Sequence, residues 1–138
     1  MFKNNYSQIR DEYIGVNKSS YANHMQRWLD VFPLKQFLII ECEKFVSDPT
    51  KEMQRFEEFL NLRPFFTGVN FYNRPNDKSS FVCGRRNLTD HGVCMGKSKG
   101  LKHPNVSLDV VSRLRKYFAR MNKVFYKQVK INFNWPEN

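Results

Sequence analysis

The segment Cys94-Met95-Gly96-Lys97-Ser98-Lys99-Gly100-Leu101-Lys102-His103-Pro104 sets three lysines and a serine around two glycines. Glycine permits positive φ and a close approach of backbone to a ligand. Turns of this composition present convergent backbone N–H groups and ammonium ions to a phosphate or a sulfate. The chemistry on offer is an anion cradle. The plainer reading of the same composition is a basic surface loop.

Three sharper arrangements compete for this region. Gly96-Lys97-Ser98 matches the end of the nucleotide-binding pattern Gly-x-x-x-x-Gly-Lys-Ser/Thr, but His91 stands at the first glycine and no strand precedes the loop. That pattern fails on both counts. Cys83, His91, Cys94 and His103 hold zinc-ligating atoms, yet no Cys-x-x-Cys or His-x-x-x-His spacing joins them, and no metal site is assigned. A disulfide between Cys83 and Cys94 is the preferred reading. It would close a loop of about a dozen residues, stabilise the fold by roughly 3 kcal/mol on the chain-entropy account, and hold the basic loop beside the Asn-rich stretch 70–76.

Carboxylate chemistry is harder to place. Glu41 and Glu43 alternate off the end of an apolar run, Asp48 is better used as a helix cap, and Glu57 and Glu58 are expected on a solvated helix face. His24 lies near Trp28 on a helix and reads as a packed histidine rather than a base. No Ser/His/Asp or Cys/His arrangement can be argued, so no catalytic residue is assigned.

The 23 Lys and Arg exceed the 13 Asp and Glu, a net charge of +10 that favours a polyanionic partner such as nucleic acid, anionic lipid, a phosphorylated cofactor or a sulfated glycan. Nucleic-acid binding would rest on charge alone, because no recognised module is present, and it is set aside. The longest apolar run, Phe37-Leu38-Ile39-Ile40, cannot span a bilayer, and the polar start Met1-Phe2-Lys3-Asn4-Asn5-Tyr6 is no signal peptide. Any anchor is expected outside this chain. Asn-x-Ser/Thr acceptors at Asn5, Asn17, Asn87 and Asn105, with the possible disulfide, lean towards a secretory compartment.

The elements that must position these groups follow from periodicity. Tyr21, Met25, Trp28, Leu29 and Phe32 predict a helix from about Ser19 to Phe32, capped by Ser19 or Ser20 and ended by Pro33. The continuously apolar run from Gln36 to Glu41 predicts a buried strand of a parallel sheet, with Cys42 as a buried small hydrophobe. Asp48-Pro49 starts another helix with Met53, Phe56, Phe59 and Leu60 inward. Residues 63–106 are rich in Gly and Pro and read as loop, a length that is uncommon unless functional or stapled. Ser107 caps a last amphipathic helix with Leu108, Val111, Leu114, Phe118 and Met121 on one face. Helix, strand, helix is an α/β grammar, but a single strand cannot build a parallel sheet, so the expected fold is an incomplete α/β domain, with a small, mostly helical α+β fold as the alternative.

Ordered motifs along nearly the whole chain carry a resemblance. Asn17-Lys18-Ser19-Ser20-Tyr21, His24 to Leu29, Phe32 to Gln36, Ser47-Asp48-Pro49, Phe59 to Leu62, Asn70 to Asn73, Phe81-Val82-Cys83, Cys94 to Pro104 and Phe133-Asn134-Trp135 resemble the heparan sulfate glucosaminyl 3-O-sulfotransferases. The likeness runs from about Tyr13 to Trp135, and the N-deacetylase/N-sulfotransferases are the nearest related family.

The resemblance implies an enzyme of the Golgi lumen, from a type II membrane parent, that moves a sulfuryl group from 3'-phosphoadenosine 5'-phosphosulfate (PAPS) to a glucosamine hydroxyl of heparan sulfate. It implies a P-loop-like parallel sheet flanked by helices, of which residues 1–138 are the C-terminal part, mostly helical with a stapled loop. It implies a Cys83–Cys94 disulfide, and contacts to the cofactor and the glycan from Lys99, Gly100, Leu101, Lys102 and His103. Leu101 stands where the family has arginine, which puts affinity at that point in question because a bidentate guanidinium is lost. Val82 stands where some members carry an aromatic residue that could pack on the adenine.

The family's first phosphate-binding loop, its glutamate base and its Arg…Ser pair for the 3'-phosphate have no counterpart before residue 13. Sulfuryl transfer needs a deprotonated hydroxyl and stabilisation of charge on the donor. Lys99 could serve the second need, and nothing in the chain serves the first. Weak or no catalysis is therefore expected of this chain alone. The alternative is a non-catalytic, truncated relative that binds heparan sulfate or other polyanions. On either reading glycans are expected at Asn17, Asn87 and Asn105.

Overall fold

The computed structural model describes residues 9–73, 81–94 and 105–138. The chain divides into two compact units, Met1–Phe37 with Pro104–Asn138, and Leu38–His103.

In the first unit, α1 (Ile14–Lys18) and α2 (Tyr21–Leu29) precede a 3₁₀ turn at Leu34–Gln36, and α5 (Leu108–Val129) returns along them. Ala22 and Met25 on α2 and Phe125 and Val129 on α5 are buried. Gln128 Nε2 ties the two helices by donating to the Ala22 carbonyl (3.1 Å) and to Gln26 Oε1 (3.0 Å). After α5 the chain turns at Lys130 (φ 56°), and Phe133 and Trp135 fold back. The Trp135 ring stacks on Phe133 and Phe125, while its backbone N–H donates to the Tyr126 hydroxyl (3.1 Å). Tyr117 donates to Asp11 (2.8 Å), and burial first, then this carboxylate, raises its phenol above the usual range.

The helix expected over Ser19–Phe32 is shorter, with only Val31 and Phe32 continuing one turn by donating to the Trp28 carbonyl. Ser20 is the N-cap residue, but its hydroxyl donates to the Val16 carbonyl (3.1 Å) instead of accepting from the helix. The end of α1 supplies that free carbonyl one turn earlier, and buried Ser20 takes it.

In the second unit, α3 (Cys42–Ser47) leads into α4 (Pro49–Phe59). Asp48 Oδ1 accepts from the Lys51 N–H (3.0 Å) and Pro49 opens the helix, as the sequence requires. The inward face differs from expectation. Phe56, Phe59 and Leu60 are exposed, whereas Glu52 and Glu57 are buried. Glu52 pairs with Arg55. Glu57 Oε1 accepts from the N–H groups of Phe65 (2.8 Å) and Phe66 (3.2 Å) after the chain reverses at Asn61 (φ 53°).

The run 37–41 forms no strand among the described residues, and Cys42 is an exposed free cysteine at the start of α3. The sheet that does form is β1 (Phe71–Tyr72) antiparallel to β2 (Cys83–Gly84). The described fold is mostly helical with a small unclosed sheet and a disulfide-stapled loop.

Candidate functional site

Loop residues 63–73 and 81–94 make the second unit's hairpin. Phe71 pairs with Gly84 and Tyr72 with Cys83. On the other side, Gly84 and Val93 exchange two backbone hydrogen bonds (2.9 and 2.7 Å). The next antiparallel pair beyond such a rung is the close, non-hydrogen-bonded kind, with Cα atoms about 4.5 Å apart. That pair is Cys83 and Cys94, joined as a disulfide with Cα atoms 4.3 Å apart. The two sulfurs are spent on one another, so the four-residue zinc arrangement loses half its donors.

Three side chains lock the hairpin. Asn70, only 2% exposed, accepts from the Thr67 N–H (2.7 Å) and hydroxyl, and donates to the carbonyls of Arg85 (3.1 Å) and Arg86 (3.0 Å). Tyr72 donates to the His91 carbonyl (2.8 Å) and sits 3.7 Å from the Cys94 sulfur. The Arg85 guanidinium lies 4.9 Å over the Tyr72 ring and donates to the Val69 carbonyl (2.6 Å). Gly92 has φ +71°, and a Cβ there would meet the Gly84 carbonyl oxygen at 2.7 Å, so the crossing accepts glycine alone.

The turn between Gly84 and Gly92 is held by acceptors. Asn87 Oδ1 accepts from the Thr89 N–H (3.0 Å), the Thr89 hydroxyl (2.8 Å) and the Asp90 N–H (3.0 Å). Asp90 accepts from the Arg86 N–H, the Arg86 guanidinium and the Gly92 N–H, which holds its carboxyl down at about 2. Phe65, Thr67, Asn70, Arg86, Asn87 and Leu88 border an open groove of about 390 Å³ beside it.

Cys94 is where the description of this site ends. Lys99, Gly100, Leu101, Lys102 and His103 lie outside the described residues. Val82 is half-buried before β2. Asn17, Asn87 and Asn105, which the sequence offers as Asn-x-Ser/Thr sequons, are all exposed. Sequence reasoning missed Asn70, Tyr72 and Asp90 as the groups that fix the staple. The only local signal was Asp90-His91-Gly92, a turn pattern; apart from Thr67, three residues before Asn70, the hydrogen-bond partners of Asn70 and Tyr72 are fifteen or more residues away.

Residues 2–82 match the model of the sulfotransferase domain. The chain belongs to the sulfotransferase family. Beyond that domain match, this sulfotransferase chain is 36% identical over 132 residues to heparan sulfate glucosamine 3-O-sulfotransferase 5 of Mus musculus and of Homo sapiens, covering 96% of the chain and 37% of each relative. It is 33% identical over 136 residues to the human heparan sulfate glucosamine 3-O-sulfotransferase 3B1, covering 97% of the chain and 34% of the relative. The similarity therefore runs through the staple and α5, and the chain spans about a third of the length of these curated relatives. Among the described residues, no helix is long and apolar enough to cross a membrane.

Proposed function

We propose that this chain is part of a heparan sulfate glucosamine 3-O-sulfotransferase, in which it presents the lysine-rich segment after Cys94 to PAPS and to the sulfated glycan. The carrying observation is similarity to 3-O-sulfotransferases over 96–97% of the chain, a span that contains positions 83 and 94. In the reaction the glucosamine 3-hydroxyl oxygen bonds to the sulfur, the bond from sulfur to the phosphate oxygen breaks, and 3'-phosphoadenosine 5'-phosphate departs. The hydroxyl proton goes to a base that this chain does not provide. Lys99, Lys102 and His103, with the Gly100 and Leu101 N–H groups, form a set of donors suited to phosphate and sulfate oxygens. Lys99 is assigned electrostatic support of the departing phosphate. Residues 1–138 are then one portion of the sulfotransferase domain, and the first cofactor loop and the base belong to the remaining portion.

A disulfide is the mark of an oxidising compartment, which favours the Golgi lumen and glycans at Asn17, Asn87 and Asn105. The net charge of +10 favours a second reading, a non-catalytic chain that binds heparan sulfate.

The test joins binding to product analysis. The 138-residue chain is titrated with 3'-phosphoadenosine 5'-phosphate and run on heparin in a salt gradient. A chimera carries this chain in place of the matched portion of human 3-O-sulfotransferase 5. Expected are nucleotide binding that Lys99→Ala weakens about tenfold, no transfer by the chain alone, and 3-O-sulfated glucosamine from the chimera. Heparin binding indifferent to nucleotide in both proteins would favour the second reading. N-sulfated product would move the assignment to the N-sulfotransferases.

A further inference from the structure

The outward side of α5 carries a single file of cations. Arg113, Lys116, Arg120, Lys123 and Lys127 follow one another at alternating steps of three and four residues, the spacing that lines up side chains along a helix. The file runs about 21 Å along the axis. Phe125 and Val129 are buried on the opposite side, and Gln128 is tied to Ala22 and Gln26, so the file is held outward. Arg115 stands off the file and holds the Asn138 carbonyl (2.8 Å).

Little on the protein answers this charge. Asp109 is the one acidic residue of α5, and it pairs with Arg113 where the file begins (3.6 Å). Glu137 reaches Lys123 (2.9 Å), with both side chains at least half exposed. Lys116, Arg120 and Lys127 are exposed, and among the described residues no carboxylate pairs with them. Like charges at these spacings repel one another, and a helix that needs only solubility sets Glu against Lys. An unanswered file is complementary to a linear polyanion, whose charges can lie along it.

Three polyanions could supply that charge, and two fit poorly. An anionic bilayer also takes up apolar side chains, and Phe125 and Val129 are already buried in the fold. A nucleic acid would find no aromatic residue in the file to stack on. The Cys83–Cys94 disulfide also marks an oxidising compartment rather than cytosol or nucleus. A sulfated glycan needs only cations in line.

We infer that the Arg113–Lys127 file is a docking surface for a sulfated glycan chain, in addition to the lysine-rich segment after Cys94. Its preference for a glycan of the heparan sulfate class rests on the functional reading above.

Calorimetry and heparin elution compare the 138-residue chain with two triple variants. The file variant is Lys116→Gln/Arg120→Gln/Lys127→Gln. The control, Lys18→Gln/Lys35→Gln/Lys51→Gln, removes the same charge from exposed positions off α5. Expected is a loss of about tenfold or more in affinity for a heparin dodecasaccharide in the file variant, with a shallower salt dependence, and of less than about threefold in the control. The urea midpoint of the file variant should hold, because repulsion relieved along the file offsets the last-turn cation lost. Equal losses in the two variants overturn the inference, since net charge alone then binds the glycan. So does tighter binding of the wild-type chain to phosphatidylserine vesicles or duplex DNA than to heparin at matched salt. A lowered midpoint in the file variant also counts against it, because the cations then serve the fold. Unchanged heparin affinity in the file variant, with nucleotide binding that still depends on Lys99, sinks the inference and leaves the functional reading standing. File-dependent heparin binding, with no nucleotide binding and no sulfate transfer by the chimera, does the reverse.

Discussion

Asn70 and Arg85 hold one another twice: the Arg85 N–H donates to the Asn70 carbonyl (2.8 Å), and Asn70 Nδ2 donates to the Arg85 carbonyl (3.1 Å). The first bond belongs to the hairpin and any residue would make it. The second needs this side chain, which also serves Thr67 and Arg86 from a buried position. Asn70→Ala would strand two donors and two acceptors. The expected cost is about 2–4 kcal/mol in urea unfolding, with faster amide exchange at Cys83 to Asp90. A loss below about 0.5 kcal/mol would mean water replaces the amide freely, and the lock would be no lock.

The staple adds a chain-entropy term to this packing. Cys83 and Cys94 are 11 residues apart, so the double variant Cys83→Ala/Cys94→Ala should lower stability by about 3 kcal/mol. Reductant should lower the wild-type urea midpoint by a similar step and leave the variant untouched. A wild-type midpoint indifferent to reductant would show that the hairpin bonds alone set the geometry.

Glu57 is 5% exposed and spends one oxygen on two backbone donors, those of Phe65 and Phe66. Glu57→Ala leaves both N–H groups without a partner and should cost about 2–3 kcal/mol. Glu57→Gln keeps an acceptor of the same reach and should lose less than half of that. Equal losses for the two variants would point to packing rather than hydrogen bonding.

Asp90 gives the turn a pH dependence at the acid end. Its carboxyl is held at about 2 against an ordinary 3.8, first by the Arg86 backbone N–H, then by the Arg86 side chain and the Gly92 N–H. A lowered carboxyl contributes stability in full above its unfolded value and loses it as pH falls through the folded one. The turn should therefore loosen between about pH 4 and 2. The carboxyl carbon shift of Asp90 should titrate with a midpoint near 2. Arg86→Ala should raise that midpoint but leave it below the ordinary value, because the two backbone donors persist. An unmoved midpoint would assign the effect to the backbone alone.

What the sequence made legible was local chemistry. Asp48-Pro49 and Ser107 announce the starts of α4 and α5, because a cap and its helix lie within four residues. The run 36–41 has the composition of a strand, but a strand is completed by a ladder, and composition does not say whether the neighbours are present. Glu57 carries the same lesson. Its place on the helix is periodic, and its burial is decided by donors eight and nine residues on, after the Asn61 reversal. In the site, the pairing of Cys83 with Cys94 was legible, while Asn70 and Tyr72 were not, since the carbonyls they donate to come from the far side of the hairpin. Lys99 to His103 lie outside the described residues and rest on composition and family resemblance.

Leu101 offers the sharpest test of that resemblance. If 99–103 grips phosphate or sulfate, the position at which the resemblance implies an arginine is a missing hand. Leu101→Arg adds a planar fork that can bond two oxygens at once, whereas Leu101→Lys adds a point charge. The arginine variant should bind 3'-phosphoadenosine 5'-phosphate or heparin roughly tenfold more tightly, with the lysine variant gaining clearly less. Calorimetry with the nucleotide, and heparin elution at matched salt, separate the two ligands. Equal gains for both variants would reduce the segment to a basic patch. No gain for either would remove 101 from the binding surface.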